Sequence, residues 1–252
     1  MTTYGAELIY QTNDRYGKIE IVEHQQKFRS LHFGNNTQQS AMLLNNPFLL
    51  VHQYTQAMLL PTCWLTPKNI LVLGLGSGSI VKHLYNYFRE TVIDAVELRK
   101  EVIDLASEYF LLPDEDERFR VYNESAFDWL DAFNSNKKYD MIIVDMFLTT
   151  NSGKDICVDT TKYISILHSL LDENGVAVFN HLGDSIYSYP SYHDLANIFS
   201  HNLFSIDIES TNTILFAARG DINLNLSDGY LSDLEAQYLL PYRQHYNQLN
   251  KI

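Results

Sequence analysis

The sequence predicts an α/β protein: a mainly parallel β-sheet, closed by a C-terminal antiparallel hairpin and preceded by a small N-terminal β-ribbon. Three observations predict it. From Ile70 to about residue 200, apolar strand-like runs alternate with helical patterns, the rhythm of βαβ units whose sheet is covered on both faces. Two later runs, LFSIDIES and TNTILFAAR, are joined by a very short turn around Ser210, so they pair antiparallel. Near the start, KIEIVE (18–23) alternates apolar and polar residues as a half-buried strand does, and KFRSLHFGNN (27–36) runs as a second strand into a Gly-Asn turn.

The elements follow in order. Residues 47–60 read as a helix, with Pro47 in its first turn and Pro61 ending it. ILVLG is a strand and 79–89 a helix. TVIDAVEL (91–98) is a strand and 99–109 a helix. RFRVYNES (118–125) is a strand, and 126–134 a short helix opening with Phe127 and Trp129. YDMIIVDMF (139–147) is a strand followed by a loop. Residues 159–171 form a helix, GVAVFNHL (175–182) a strand, and 191–200 a helix. The tail SDGYLSDLEAQYLLPYRQHYNQLN reads as helix covering the sheet. Residues 1–60 then form the ribbon and connecting helix, and 61–252 the main α/β domain.

With 252 residues, 46% of them hydrophobic, the chain is long enough for a large core. Its net charge is −13, from 18 basic and 31 acidic side chains. Such a surface repels phosphate backbones, which argues against a nucleic-acid partner. It suits small cations such as polyamines, and equally serves solubility alone. Cys63 and Cys157 are too few for a disulfide framework and have no metal-ligand spacing, so they read as buried thiols in a reducing compartment. The N-terminus has no basic and apolar leader pattern, and no apolar run approaches the roughly 18 residues of a membrane span. The expectation is a cytoplasmic protein acting on a small molecule, with no membrane partner.

ILVLGLGSGSIVKHL (70–84) carries the main motif. Gly74, Gly76 and Gly78 follow a strand directly and lead into a helix. Such a turn lets backbone approach a ligand at the helix's positive end, although glycine turns without ligands also occur. The next strand ends in Glu97, about twenty residues on, where a carboxylate can accept both ribose hydroxyls. Its bland alternative is a solvated charge at a helix start. The third strand ends in Glu124-Ser125-Ala126-Phe127, where an adenine would lie. The fourth ends in Asp145, at the sheet edge where such folds bind ligands. The third glycine comes one residue earlier than in a dinucleotide G-x-G-x-x-G turn, and this spacing fits S-adenosylmethionine-type ligands better.

Together these segments resemble the spermidine synthase family, which sits on the Rossmann-like class I methyltransferase fold. YGKIEIVEHQQKFRSLHFGNNTQQS resembles that family's β-ribbon, QYTQAML its substrate-side helix, and VLGLGSGS, AVELRKEVIDLASEYF, RFRVYNESAFDWL and KYDMIIVDMF follow in family order. The resemblance implies that Gln38 reaches the nucleoside and that Tyr54 is the substrate-side tyrosine. It also implies a homodimer.

The departures bear on the chemistry. The family's glycine turn carries an aspartate where this chain has Ser77. Its aspartate-rich segment after the fourth strand here reads DMFLTTNSGKD, with Asp145 kept and the next carboxylate at Asp155. Gln56 stands for a glutamate, and Glu124-Ser125-Ala126 for G-D-A. Aminopropyl transfer must hold ammonium groups and deprotonate an amine, so it needs carboxylates. A neutral Ser77 instead suits the carboxylate of intact S-adenosylmethionine. The leading expectation is therefore methyl transfer to a small acceptor, helped by Asp145, Tyr54 or a base at His181, with Asn180 beside it. Each has a bland alternative: Tyr54 as core, His181 as a hydrogen-bonded loop residue, Asn180 satisfying the loop backbone. Two further readings stay open: an aminopropyltransferase using decarboxylated S-adenosylmethionine with Asp145 or Asp155 as base, and an inactive nucleoside-binding or scaffold protein.

Overall fold

The computed structural model describes residues 2–146, 148–149, 155–156, 161–182, 189, 191–208 and 212–252. Cys157 and the hairpin turn around Ser210 lie outside them, as does the side chain of Asp155.

At the N-terminus, β1 (Thr2–Thr3), β2 (Ala6–Asp14), β3 (Gly17–His24), β4 (Phe28–His32) and β5 (Gln38–Leu43) form an antiparallel sheet in chain order. This is larger than the two-strand ribbon expected. β2 has no clean apolar alternation, and a register shift between Leu8 and Tyr10 breaks its period. β4 ends at His32, where a second irregularity shifts its pairing with β5. The buried face (Ile19, Ile21, Leu31, Met42) packs on Val102, Leu105 and Phe110 of a following helix.

The helix expected over 47–60 is corrected to two short pieces, α1 (Gln53–Met58) and a 3₁₀ turn over Leu60–Cys63. Ahead of them the Leu49 amide donates to the Asn46 carbonyl at 3.2 Å in a separate turn containing Pro47. Pro61 has no N–H to extend a helix and sits inside the 3₁₀ turn.

Alternation then sets in: β6 (Asn69–Leu73), α2 (Ser79–Tyr87), β7 (Val92–Glu97), α3 (Lys100–Phe110), β8 (Phe119–Asn123), α4 (Ala126–Ala132) and β9 (Tyr139–Val144). A small pair, β10 (Leu148–Thr149) and β11 (Asp155–Ile156), precedes α5 (Thr161–Leu170), β12 (Leu171–Leu182), α6 (Tyr192–Ile198), β13 (Leu203–Ile208) and β14 (Asn212–Ala218). The tail forms α7 (Asp228–Tyr238), α8 (Tyr242–Asn247) and β15 (Asn250–Lys251). It is helical as expected, but broken at Leu239, which closes α7 in the left-handed conformation, and at Pro241. The eight-stranded sheet runs β15-β13-β14-β12-β9-β6-β7-β8. β8, β7, β6, β9 and β12 are parallel, and β14, β13 and β15 close one edge antiparallel.

Successive residues of each central strand enter different cores, as a strand's period of two requires. Val72, Ile143 and Val178 pack under α1, α2 and the tail helices, with Leu231 and Tyr242. Leu73, Val144 and Phe179 pack under α4, α5 and α6. Burial pushes the Cys63 thiol up to about 12. Among the described residues, no helix is long and apolar enough to cross a membrane.

Candidate functional site: a cavity at the sheet edge

The β6–α2 turn is locked to its neighbours. The Gly74 amide donates to the Val96 carbonyl, and the Asp145 amide donates to the Leu73 carbonyl, both at 2.9 Å. Gly74 has φ +93°, and a Cβ there would lie 2.2 Å from the Asp145 carbonyl oxygen. Only glycine lets these two strand ends close. Gly78 (φ +74°) starts α2 in the left-handed conformation.

Over this turn lies a cavity of about 120 Å³ whose walls come from several strand ends and the N-terminal sheet. Gly74 and Gly76 form its floor, and Glu97 stands at one side. Glu97 Oε2 accepts from the Leu75 amide at 3.0 Å, and Oε1 from the Arg99 amide at 2.9 Å. Burial pushes its carboxyl above the usual range, while those two amides oppose the rise. Each oxygen keeps acceptor capacity beyond its backbone bond.

Asp145 follows β9, across β6 from Glu97 at the end of β7, and Tyr54 lines the cavity near Asp145. Burial pushes the Asp145 carboxyl up to about 6, opposed by a hydrogen bond from Asn180 Nδ2 to Oδ1 at 2.8 Å. Burial, then the nearby Asp145 charge, raise the Tyr54 phenol far above its ordinary value, so it stays a proton donor. Its hydroxyl lies 3.5 Å from the Gln39 carbonyl. Ser125, Ala126, Phe127 and Met146 make the third wall, mostly apolar.

The structure thus brings together seven of the expected residues: Tyr54, Gly74, Gly76, Glu97, Ser125, Ala126 and Asp145. Phe127 joins them. Four others stand elsewhere. Gln38 does not line the cavity; its neighbour Gln39 does, because the β4–β5 irregularity shifts the alternation by one residue. Gly78 serves as the α2 cap. Ser77 is fully buried beneath the turn, its amide donating to Ser40 Oγ at 2.9 Å and its hydroxyl paired with Ser79 Oγ at 3.1 Å. His181 lies on the other face of β12 from Asn180 and meets Tyr189 edge-on, ring centroids 5.3 Å apart.

Sequence reasoning missed Phe33, Gln39 and Arg99, which also line the cavity. Arg99 is buried, stacks its guanidinium 4.3 Å from the Phe33 ring centroid, and pairs with Asp14. The one signal available was a cation two residues after Glu97; nothing local tied it to the ribbon. Glu97 and Asp145 are the acidic residues on the described cavity wall. No metal-ligating cluster exists among the described residues.

Comparison with known proteins agrees with this architecture. Residues 51–213 match the model of the spermine/spermidine synthase domain. The polyamine aminopropyltransferase of Chromobacterium violaceum is 30% identical over 243 residues, covering 93% of this chain and 90% of that protein. An eEF1A lysine and N-terminal methyltransferase of Xenopus laevis is 29% identical over 128 residues, half of this chain but 18% of that protein. In fold, the chain is similar to the spermidine synthase of Thermotoga maritima, with TM-score 0.72 and 14% identity, covering 96% of this chain and 83% of that one. It is also similar to human methyltransferase-like protein 13 in complex with SAH, with TM-score 0.59 and 20% identity, over 78% of this chain and 93% of that one. The family match over residues 51–213 and the relative 30% identical along nearly the whole chain show that this chain belongs to the spermine/spermidine synthase family.

Proposed function

We propose that the cavity binds the adenosine end of a sulfonium nucleoside, and that the chain transfers an alkyl group from it to an amine. The first reading is aminopropyl transfer from decarboxylated S-adenosylmethionine. One observation carries it: two carboxylates, Glu97 and Asp145, flank a glycine turn that a single added methyl group would block. The residues present fit such a donor. Glu97 has acceptor capacity for a ribose diol, the backbone of Gly74 and Gly76 lines the cavity, and Phe127 and Met146 offer an apolar wall for a purine.

The bound donor supplies an electrophilic carbon on a positively charged sulfur. The chain's residues supply position and a proton acceptor. An alkylamine is mostly protonated at neutral pH and must lose a proton to attack. Asp145 is ionised above about pH 6 and can take that proton. Tyr54, held protonated, donates a hydrogen bond beside it and orients the acceptor. The amine nitrogen forms a bond to carbon as the carbon–sulfur bond breaks, and the sulfur leaves as a neutral thioether.

A second reading, methyl transfer from intact S-adenosylmethionine, is favoured by the small number of acids on the described cavity wall, Glu97 and Asp145 alone among the lining residues. Mass spectrometry separates the two. The protein is incubated with each donor form and a panel of diamines and monoamines. Methylthioadenosine released from the decarboxylated donor supports aminopropyl transfer, and S-adenosylhomocysteine from the intact donor supports methyl transfer. Neither product, with no calorimetric binding of either donor, overturns both.

A further inference from the structure

Among the described residues, the Asp145 carboxylate accepts its side-chain hydrogen bond from a neutral amide. Asn180 Nδ2 donates to Asp145 Oδ1 at 2.8 Å, and Asn212 Nδ2 donates to Asn180 Oδ1 at 2.7 Å. The three side chains belong to consecutive sheet positions: the residue just past β9, then β12, then β14. Asn180 is opposite Ile214 and Leu182 is opposite Asn212, so the two asparagines are diagonal neighbours on one face.

A carboxamide has a donor end and an acceptor end. Asn212 occupies the acceptor end of Asn180, so Asn180 must turn its NH₂ toward Asp145. Reversed, it would set a carbonyl oxygen against the carboxylate, which favours the protonated acid and removes a proton acceptor. We infer that Asn212, which does not bond Asp145, is a positioning residue: it locks the Asn180 amide as a donor and so keeps Asp145 ionised. The catalytic meaning of this relay rests on the transferase reading above; the electrostatic relay stands without it.

Other groups face Asp145 and do not replace the relay. Tyr54 approaches from α1 and is neutral. Glu97 and Arg99 lie on the same cavity wall at the end of β7, and Arg99 is engaged by Asp14. His181 points to the opposite face of β12. The side chains of β10 and β11 lie outside the described residues.

The test is the titration of Asp145 in the full chain, read by carboxyl ¹³C NMR and assigned by its absence in Asp145→Asn. Asn212→Asp presents only acceptors, so Asn180 reverses and the Asp145 titration rises by about one pH unit or more. The new charge also acts through space, and Asn212→Asp in an Asn180→Leu background measures that part alone. The expected result is a larger rise with Asn180 present than without it, and near-native titration in Asn212→Gln. Equal shifts in both backgrounds, or no shift, overturn the relay. If Asn212→Asp does not fold, Asn212→Leu removes the lock without charge; an upward shift supports the relay and an unmoved titration overturns it. With turnover, the acid limb of the pH–rate profile moves by the same amount. A shifted titration in a protein that turns over neither donor keeps the relay and sinks the transfer reading. Turnover with an unmoved titration does the reverse.

Discussion

Arg99 and Asp14 form a two-bond ion pair across 85 residues of chain, with Nε donating to Oδ2 at 2.8 Å and Nη2 to Oδ1 at 2.9 Å. Arg99 also donates to the Gly17 carbonyl at 3.2 Å. The pair bolts the N-terminal sheet to the end of β7, beside Glu97, and sets Phe33 against the cavity. Breaking a buried pair strands one charge, at a cost of about 3–5 kcal/mol. Arg99→Ala should therefore lower Tm by about 10 °C. Arg99→Lys should recover only part, because an ammonium lacks the fork. Thermal melts check both; a shift under about 2 °C in Arg99→Ala would refute the bolt.

The same pair sets an acid limit. Burial alone would raise the Asp14 carboxyl, but the bonds from Arg99, Tyr16 and Gly17 outweigh it and hold it below its usual value. A depressed folded pKa gives stability that is complete above the unfolded value, near 4, and is lost as pH falls further. The wild type should lose stability below about pH 4 more steeply than Asp14→Asn. Urea midpoints at pH 3 and 5 test this, and parallel losses would refute it.

Gly74→Ala and Gly78→Ala should differ although both glycines have positive φ. At Gly74 the new methyl meets a backbone carbonyl at 2.2 Å; at Gly78 it meets the tip of Leu112, Cδ1, at 2.5 Å. A side-chain tip can rotate away, whereas a strand end cannot. Gly78→Ala should cost about 1–2 kcal/mol of backbone strain. Gly74→Ala should cost more and abolish methylthioadenosine binding. Calorimetry and melts on the pair decide it, and equal nucleoside affinity in both would refute the argument.

Glu97→Gln keeps the shape and removes the charge-assisted bonds. It should weaken methylthioadenosine binding by roughly 10- to 100-fold. Turnover at saturating donor should change much less, because Glu97 is placed away from the Asp145 side. A kcat loss with unchanged affinity would give Glu97 a different role.

Asp145→Asn should make the ligand-free protein more stable and the transfer inactive. The folded pKa is raised to about 6, so the native state takes up a proton first. The stability tied to that proton is present below about pH 4 and is lost as pH rises through about 6. Removing the acid should gain up to about 3 kcal/mol at pH 7.5, roughly half of that at pH 5, and nothing below pH 4. Melts at the three pH values measure it; a pH-independent gain would refute the assignment.

Much was legible in the residues themselves. The alternation from Ile70 onward announced the parallel sheet, because strands buried on both faces read as unbroken apolar runs. The hairpin showed in two runs too close together for a crossover. Glu97, Ser125, Ala126 and Asp145 could be placed at one edge of the sheet because each lies at or just past the end of a strand, and strand ends follow from local pattern. The 47–60 segment misled because prolines mark helix starts and stops without saying whether the residues between them form one helix.

What the tertiary structure alone decided lies in partners far apart in the chain. A pairing irregularity, invisible in local pattern, turned Gln39 rather than Gln38 to the cavity. Strand alternation put His181 behind the sheet and Asn180 in front, where Asn212 completes its bonding from another strand. Arg99 was assigned its role by an acid 85 residues away. Local sequence determines periodicity and backbone shape, but the partners that orient a buried polar group, and so set its proton affinity, exist only once strands distant in sequence lie side by side.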